Sequence, residues 1–340
     1  MNFQGDTMAK PDLNAFATAK IAEGQVSEAD VITLRRFIYG DMAVSLEEGA
    51  ALFRLNDADL TYADTWYELF PEAIGDILVH QALPRGYVSE DNASWLTGQI
   101  TADGHVCSRT ELDTVLHVLE KAREAPESLE KFALQAVADS VITGKGATRS
   151  GTDLKPGVIS DGEVEILRRV LYAGAGCGGI AISRAEAEAL FDLNDATVEA
   201  ENAPAWSELF SKAIANHLMA MSGFTPPARE DALAREDWLR QPGGYERGLG
   251  GFFRKMISGG VSGIREAYAD APNPLAARGA AMEAEIAANE VVTEDEASWL
   301  VERIGRDGVL HENERALLKF IREESPNIHP ALQPLMDKAI

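Results

Sequence analysis

The feature that most restricts what this chain can fold into is its repetition. The segment VSEADVITLRRFIY, starting at Val26, returns as ISDGEVEILRRVLY from Ile159. LEEGAALFRLNDA (46–58) returns as RAEAEALFDLNDA (184–196), and TWYELFPEAIGDIL (65–78) as AWSELFSKAIANHL (205–218). A fourth block, VSEDNASWL (88–96), returns as VTEDEASWL (292–300), and an Asp-Gly pair follows each copy, Asp103-Gly104 and Asp307-Gly308. Four blocks in one order imply a duplicated folding unit.

The halves differ in length. Trp66 and Ser89 are separated by 22 residues, whereas Trp206 and Thr293 are separated by 86. The second half therefore carries an insertion of roughly sixty residues, placed at about 222–287, a size that exceeds ordinary loop variation. TGKGATRSGTDLKPG (143–157), rich in Gly, Ser and Thr, reads as a linker. The expected organisation is an N-terminal extension (1–19), a first lobe (20–142), this linker, and a second lobe (156–340). Residues 1–7 read as an addition ahead of an alternative start at Met8.

A smaller unit recurs within each half: an apolar residue, Ser or Thr, two variable residues, then an acid or amide. Its members are Ser27/Asp30, Ser45/Glu48, Ser89/Asn92, Ser160/Glu163, Ser183/Glu186 and Thr293/Glu296, with Ser108/Glu111 and His311/Glu314 as looser forms. This spacing predicts capping boxes, in which the hydroxyl accepts from the first turn and the acid reaches back to the N-cap N–H. Apolar residues follow at helical spacing, as in Val31, Leu34, Ile38 and Val164, Leu167, Leu171. Alternating strand patterns are nearly absent. The fold class expected is all-α, in two duplicated multi-helix lobes.

Asp-Gly-x-apolar-x-x-x-Glu is also the second half of an EF-hand calcium loop. DGVLHENE (307–314) fits by spacing, but Arg303 and Gly305 stand where leading carboxylates belong, and at 103–111 the Glu falls one residue late. A half-loop supplies few of the six to eight oxygens that Ca²⁺ takes, so capping is the preferred explanation. DGHVCSRTE (103–111) and DGVLHENE, with GQVSEAD (24–30) and GVISDGE (157–163) as weaker echoes, resemble helix starts of the TerB-like tellurite-resistance family. The resemblance implies small all-α domains with acidic loops and a non-enzymatic, stress-associated or assembly role. It also implies cation binding, of Ca²⁺ or Mg²⁺, at Asp103, Glu111, Asp307 and Glu314. No other cofactor is implied.

Asn56-Asp57 and Asn194-Asp195 recur after Leu-Phe-x-Leu, with Trp66 and Trp206 beyond them. Asn suits a left-handed helix cap and Trp a core anchor. The alternative is a carboxylate–amide pair at the mouth of an aromatic ligand pocket. Arg35 and Arg168 also recur. Each is expected to pair with an Asp such as Asp57 or Asp195, or else to receive an anion or acidic peptide.

Composition decides among partners. Lys and Arg number 31 against 55 Asp and Glu, a formal charge of −24, which excludes nucleic acid as a main partner because phosphate binding needs a positive footprint. Residues 221–270 hold seven basic and seven acidic side chains, so the negative charge lies in the lobes. Within the neutral stretch, at 243–263, Phe252 and Phe253 either cover a lobe interface or, with Arg254 and Lys255, form a candidate docking element for a protein or, less favoured, a membrane surface. Two cysteines permit no disulfide framework, and no secretory pattern is visible, so a cytoplasmic setting is expected. Gly174, Gly176 and Gly179 match G-x-G-x-x-G but follow a helix, and no Ser nucleophile elbow is present. The expectation is a non-catalytic interaction or scaffold protein. A cation sensor and an enzyme with a site between the lobes are the alternatives.

Overall fold

The structure, a computed structural model, describes residues 12–39, 44–102, 106, 108–149, 154–173, 182–221, 294–306, 308–324 and 330–338. The protein is all-α. It divides into two compact units, Met1–Asp153 and Leu154–Ile340.

The first unit contains α1 (Leu13–Glu23), α2 (Glu28–Ile38), α3 (Leu46–Asn56), α4 (Trp66–Gly75), a π-helical segment (Asp76–Gln81), α5 (Glu90–Ile100), α6 (Arg109–Lys121) and α7 (Glu127–Thr143). The second contains α8 (Asp161–Ala173), α9 (Arg184–Ala196), α10 (Pro204–Met221), α11 (Glu294–Arg303), α12 (Glu312–Glu324), a 3₁₀ turn (Pro330–Leu332) and α13 (Gln333–Lys338). Among the described residues, no helix is long and apolar enough to cross a membrane.

The helices begin where their caps dictate. Ser27, Ser45, Ser108, Ser160 and Ser183 each accept from the N–H three residues on, while Asp30, Glu48, Glu111, Glu163 and Glu186 accept from the N-cap N–H at 2.8–3.0 Å. Ser89 makes only the first of these bonds, with Asn92. Thr293 lies outside the described residues, as does the side chain of Glu296. Behind the caps, Val31, Leu34 and Ile38 of α2, and Val164, Leu167 and Leu171 of α8, are buried.

Two features differ from the sequence expectation. Helix α1 runs across the boundary drawn at residue 20. Its N-cap is Asp12, which accepts from Asn14 and Ala15, and Arg54 of α3 donates to Asn14 at 2.7 Å. Lys20 joins α1 to Asp30 at the start of α2, 2.8 Å away. The chain entering α2 also runs beside the chain entering α4, as a parallel ladder of two residues each, β1 (Gln25–Val26) and β2 (Thr61–Tyr62). In the second unit Ala203 donates to the Ile159 carbonyl, and the Asn202 side chain accepts from the Ile159 N–H at 2.8 Å.

Both cores are built on the same aromatic arrangement. Phe53 meets Phe70 and Trp95 edge-on, at centroid distances of 5.1 and 5.7 Å. Phe191 meets Phe210 and Trp299 edge-on at 5.0 and 5.6 Å. Trp66 and Trp206 lie fully buried beside Phe70 and Phe210. Edge-to-face contacts place the positive ring rim against the negative ring face, a gain of about 0.5–1.5 kcal/mol per pair beyond area burial.

α4 packs closely on α6 at Gly75, where a Cβ would stand 2.5 Å from His117 Cδ2. The second half carries Ala215 at the matching position. Gly75→Ala is therefore expected to destabilise the first unit by about 1–2 kcal/mol through overpacking. Urea denaturation checks this; an unchanged midpoint would mean that His117 swings aside freely.

Candidate functional site

The residues singled out by repetition gather at the ends of α3 and α9 and the starts of α4 and α10. Asn56 is the last residue of α3, and Asp57 caps it in ordinary right-handed geometry, φ −83° and ψ −9°. The expected left-handed Asn is not found; among the described residues only glycines have positive φ. The Asn56 side chain accepts instead from the indole N–H of Trp66 at 3.2 Å. That bond satisfies a donor that burial would otherwise strand.

Tyr62 closes the same place. Its hydroxyl lies 2.7, 3.0 and 2.6 Å from the carbonyl oxygens of Leu55, Asn56 and Ala58, and its ring stacks on Trp66 at 5.7 Å. Its single proton serves one carbonyl at a time, which fastens the end of α3 to the loop beyond it. Burial, with Tyr67, Asp57 and Asp59 adding to it, pushes the phenol up to about 12, so Tyr62 remains a donor. In the first unit, the aromatic corner between Asn56 and Trp66 is thus filled by the protein's own side chain.

The second unit keeps the residues and changes their partners. Asn194 is buried, and its carbonyl oxygen accepts from Asn313 of α12 at 2.7 Å. The Asn194 amide nitrogen and the Trp206 indole nitrogen have no hydrogen-bond partner among the described residues. Asp195 is partly covered, its side chain 41% exposed, and faces Arg303, 3.8 Å away. Burial raises the Asp195 carboxyl, Glu314 and Asp192 add to the rise, and Arg303 opposes it.

Arg303 belongs to a network that repetition did not indicate. Its guanidinium is 2.6 Å from Asp192, and its Nε lies 3.3 Å from Glu188 without hydrogen-bond alignment. It also covers the Phe191 ring at 5.0 Å. Glu188 accepts from the Trp299 indole at 2.6 Å and from Arg184 at 3.0 Å, while Arg184 stacks over Trp299 at 4.3 Å. Burial raises Glu188, but bonds from Trp299 and Arg184 and the charges of Arg303 and Arg184 outweigh it, so its carboxyl is held below the usual range. The first half has Leu46, Ala50 and Gln99 where the second has Arg184, Glu188 and Arg303. The signal was therefore a set of correlated differences between the halves, not a shared motif.

Of the acids proposed for a cation, Glu111 and Glu314 act as caps. Glu111 accepts from the Ser108 N–H at 2.9 Å. Buried Glu314 accepts with one oxygen from Gly305 and with the other from His311, both at 2.8 Å. Asp103 and Asp307 lie outside the described residues. Among the described residues no three His, Cys, Asp or Glu are grouped as metal ligands.

The recurrent arginines do not make the pairs expected of them. Arg35 bonds Glu72 of α4 at 3.0 Å rather than Asp57, because α2 lies beside α4. Arg168 bonds Glu165, one turn earlier on α8, at 3.4 Å, and the guanidinium facing Asp195 is Arg303. Phe252, Phe253, Arg254 and Lys255, the insertion at 222–287 and the Gly174–Gly179 loop lie outside the described residues. Comparisons with protein-family models, curated proteins and solved structures give no match to this chain.

Proposed function

We propose that this chain is a non-catalytic, cytoplasmic helical scaffold that binds a protein partner, in a stress-associated setting of the kind the TerB-like resemblance implies. The observation that supports this reading most is the use of the retained polar residues. Asn56, Glu111, Glu163, Glu186 and Glu314 spend hydrogen bonds on indole or backbone N–H groups of their own unit. Repetition has thus preserved a framework, and recognition falls to what is not repeated. The neutral insertion, with Phe252, Phe253, Arg254 and Lys255, offers apolar and basic groups on an otherwise acidic chain.

Deleting 243–263 is expected to abolish cross-linking to the partner while helicity and the melting of both units stay unchanged. Loss of folding on deletion would make the segment a core element and overturn the proposal. Calorimetric titration with Ca²⁺ and Mg²⁺ tests the cation-sensor alternative, which micromolar binding would establish in its place.

A further inference from the structure

α10 carries a buried imidazole that the first unit lacks. His217 is 2% exposed, and the matching residue in the first half is Ile77. Its Nδ1 lies 2.8 Å from the Ile182 carbonyl oxygen, which can only accept, so the proton of the neutral ring resides on Nδ1. Its Nε2 is buried without a hydrogen-bond partner among the described residues. The ring packs against Trp299 of α11 at 5.1 Å, close to edge-on. The neighbouring Asn216 accepts from the Ile182 N–H at 2.9 Å. Two successive residues of α10 therefore hold both backbone polar groups of Ile182, the residue just before the N-cap of α9.

We propose that His217 is a proton-operated latch, neutral when it holds the start of α9 and α11 against α10, and released from both when its Nε2 takes a proton. Protonation creates a second N–H with no acceptor among the described residues, at a buried site, which makes the charge costly. The charged groups that bear on the ring come from α9. Arg184 opposes the imidazolium and Glu188 favours it, while α11 contributes the uncharged Trp299.

Burial is the largest influence and holds the imidazole below its ordinary value of 6.5. The latched state therefore binds fewer protons than the open one. Its stability is fully present above about pH 6.5 and falls as the pH drops below that value, toward the depressed one.

Hydrogen exchange on the full chain at pH 7.5 and 5.5, corrected for intrinsic chemical rates, tests the latch. Opening at the start of α9 and in α11 is expected to increase at the lower pH, by at most about tenfold, the limit for one proton over one pH unit below 6.5. His217→Asn keeps a donor for the Ile182 carbonyl and cannot titrate, so its opening is expected to change less than twofold. An equal rise in the variant, or none in the wild type, overturns the proposal. Should the variant fail to fold, imidazole titration by NMR on the wild-type chain decides. An apparent pKa below 6.5 supports the latch, and a value at or above 6.5 overturns it.

Discussion

Phe191→Ala is expected to cost the second unit about 3–5 kcal/mol, the range for deleting a fully buried aromatic ring. Phe191 has no exposed surface, and three groups from two other helices converge on it: Phe210 of α10, and Trp299 and Arg303 of α11. Because these neighbours are fixed by different helices, they cannot close over the space together, and the cavity term stays large. Two edge-to-face contacts and one cation–π contact disappear with the ring. Phe53→Ala makes the control. It removes the edge contacts to Phe70 and Trp95, but the first half has Gln99 in place of Arg303, so a somewhat smaller loss is expected. A chain with two units need not unfold in one step, so unit-resolved hydrogen exchange in urea is the suitable measurement. A loss below about 1 kcal/mol for Phe191→Ala would show that the aromatic cluster does not hold α9, α10 and α11 together.

The sequence was most informative where chemistry acts over three or four residues. The bond pairs Ser45 with Glu48 and Ser183 with Glu186 are local, so composition and spacing suffice to place the starts of α3 and α9. Helix α1 escaped for the converse reason. It buries little beyond Leu13 and Ala17, and its cap, Asp12, has no acid three residues on. The two-residue ladder at Val26 and Tyr62 is too short to leave an alternating pattern. At the candidate site, repetition drew attention to Asn56, Asn194, Trp66 and Trp206 but could not assign their partners. Asn56 reaches a Trp ten residues away and Asn194 an Asn 119 residues away. Arg35 likewise finds Glu72 because α2 packs on α4, a relation no local spacing encodes. The Glu188 network was legible only as difference: Ala50 has become Glu188 while Gln99 has become Arg303, and the two changes make sense only once α9 and α11 are adjacent.

That paired difference carries a second large effect. Glu188→Ala is expected to destabilise the second unit by about 2–3 kcal/mol, because it strands donors rather than merely deleting an acceptor. The Trp299 indole loses its 2.6 Å partner, Arg184 loses its 3.0 Å partner, and Arg303, whose side chain is only 7% exposed, loses one of three nearby carboxylates. Asp192 and Asp195 still face Arg303, which keeps the cost below that of leaving a buried charge unpaired. Combining Glu188→Ala with Arg303→Gln restores the residue types of the first half at both positions and removes a buried guanidinium that would keep only two of its three carboxylates. The double variant is therefore expected to be more stable than Glu188→Ala alone, by about 1 kcal/mol. The pH dependence has a definite sign. A carboxyl held below its ordinary value of 4.5 in the folded state contributes stability that is fully present above that value and is lost as the pH falls through the folded one. Wild type and Glu188→Ala are thus expected to converge in stability on acidification below about pH 4.5. Urea midpoints between pH 7 and pH 3 measure the convergence. A gap that stayed constant over that range would mean that Glu188 acts through its packing and not through its charge.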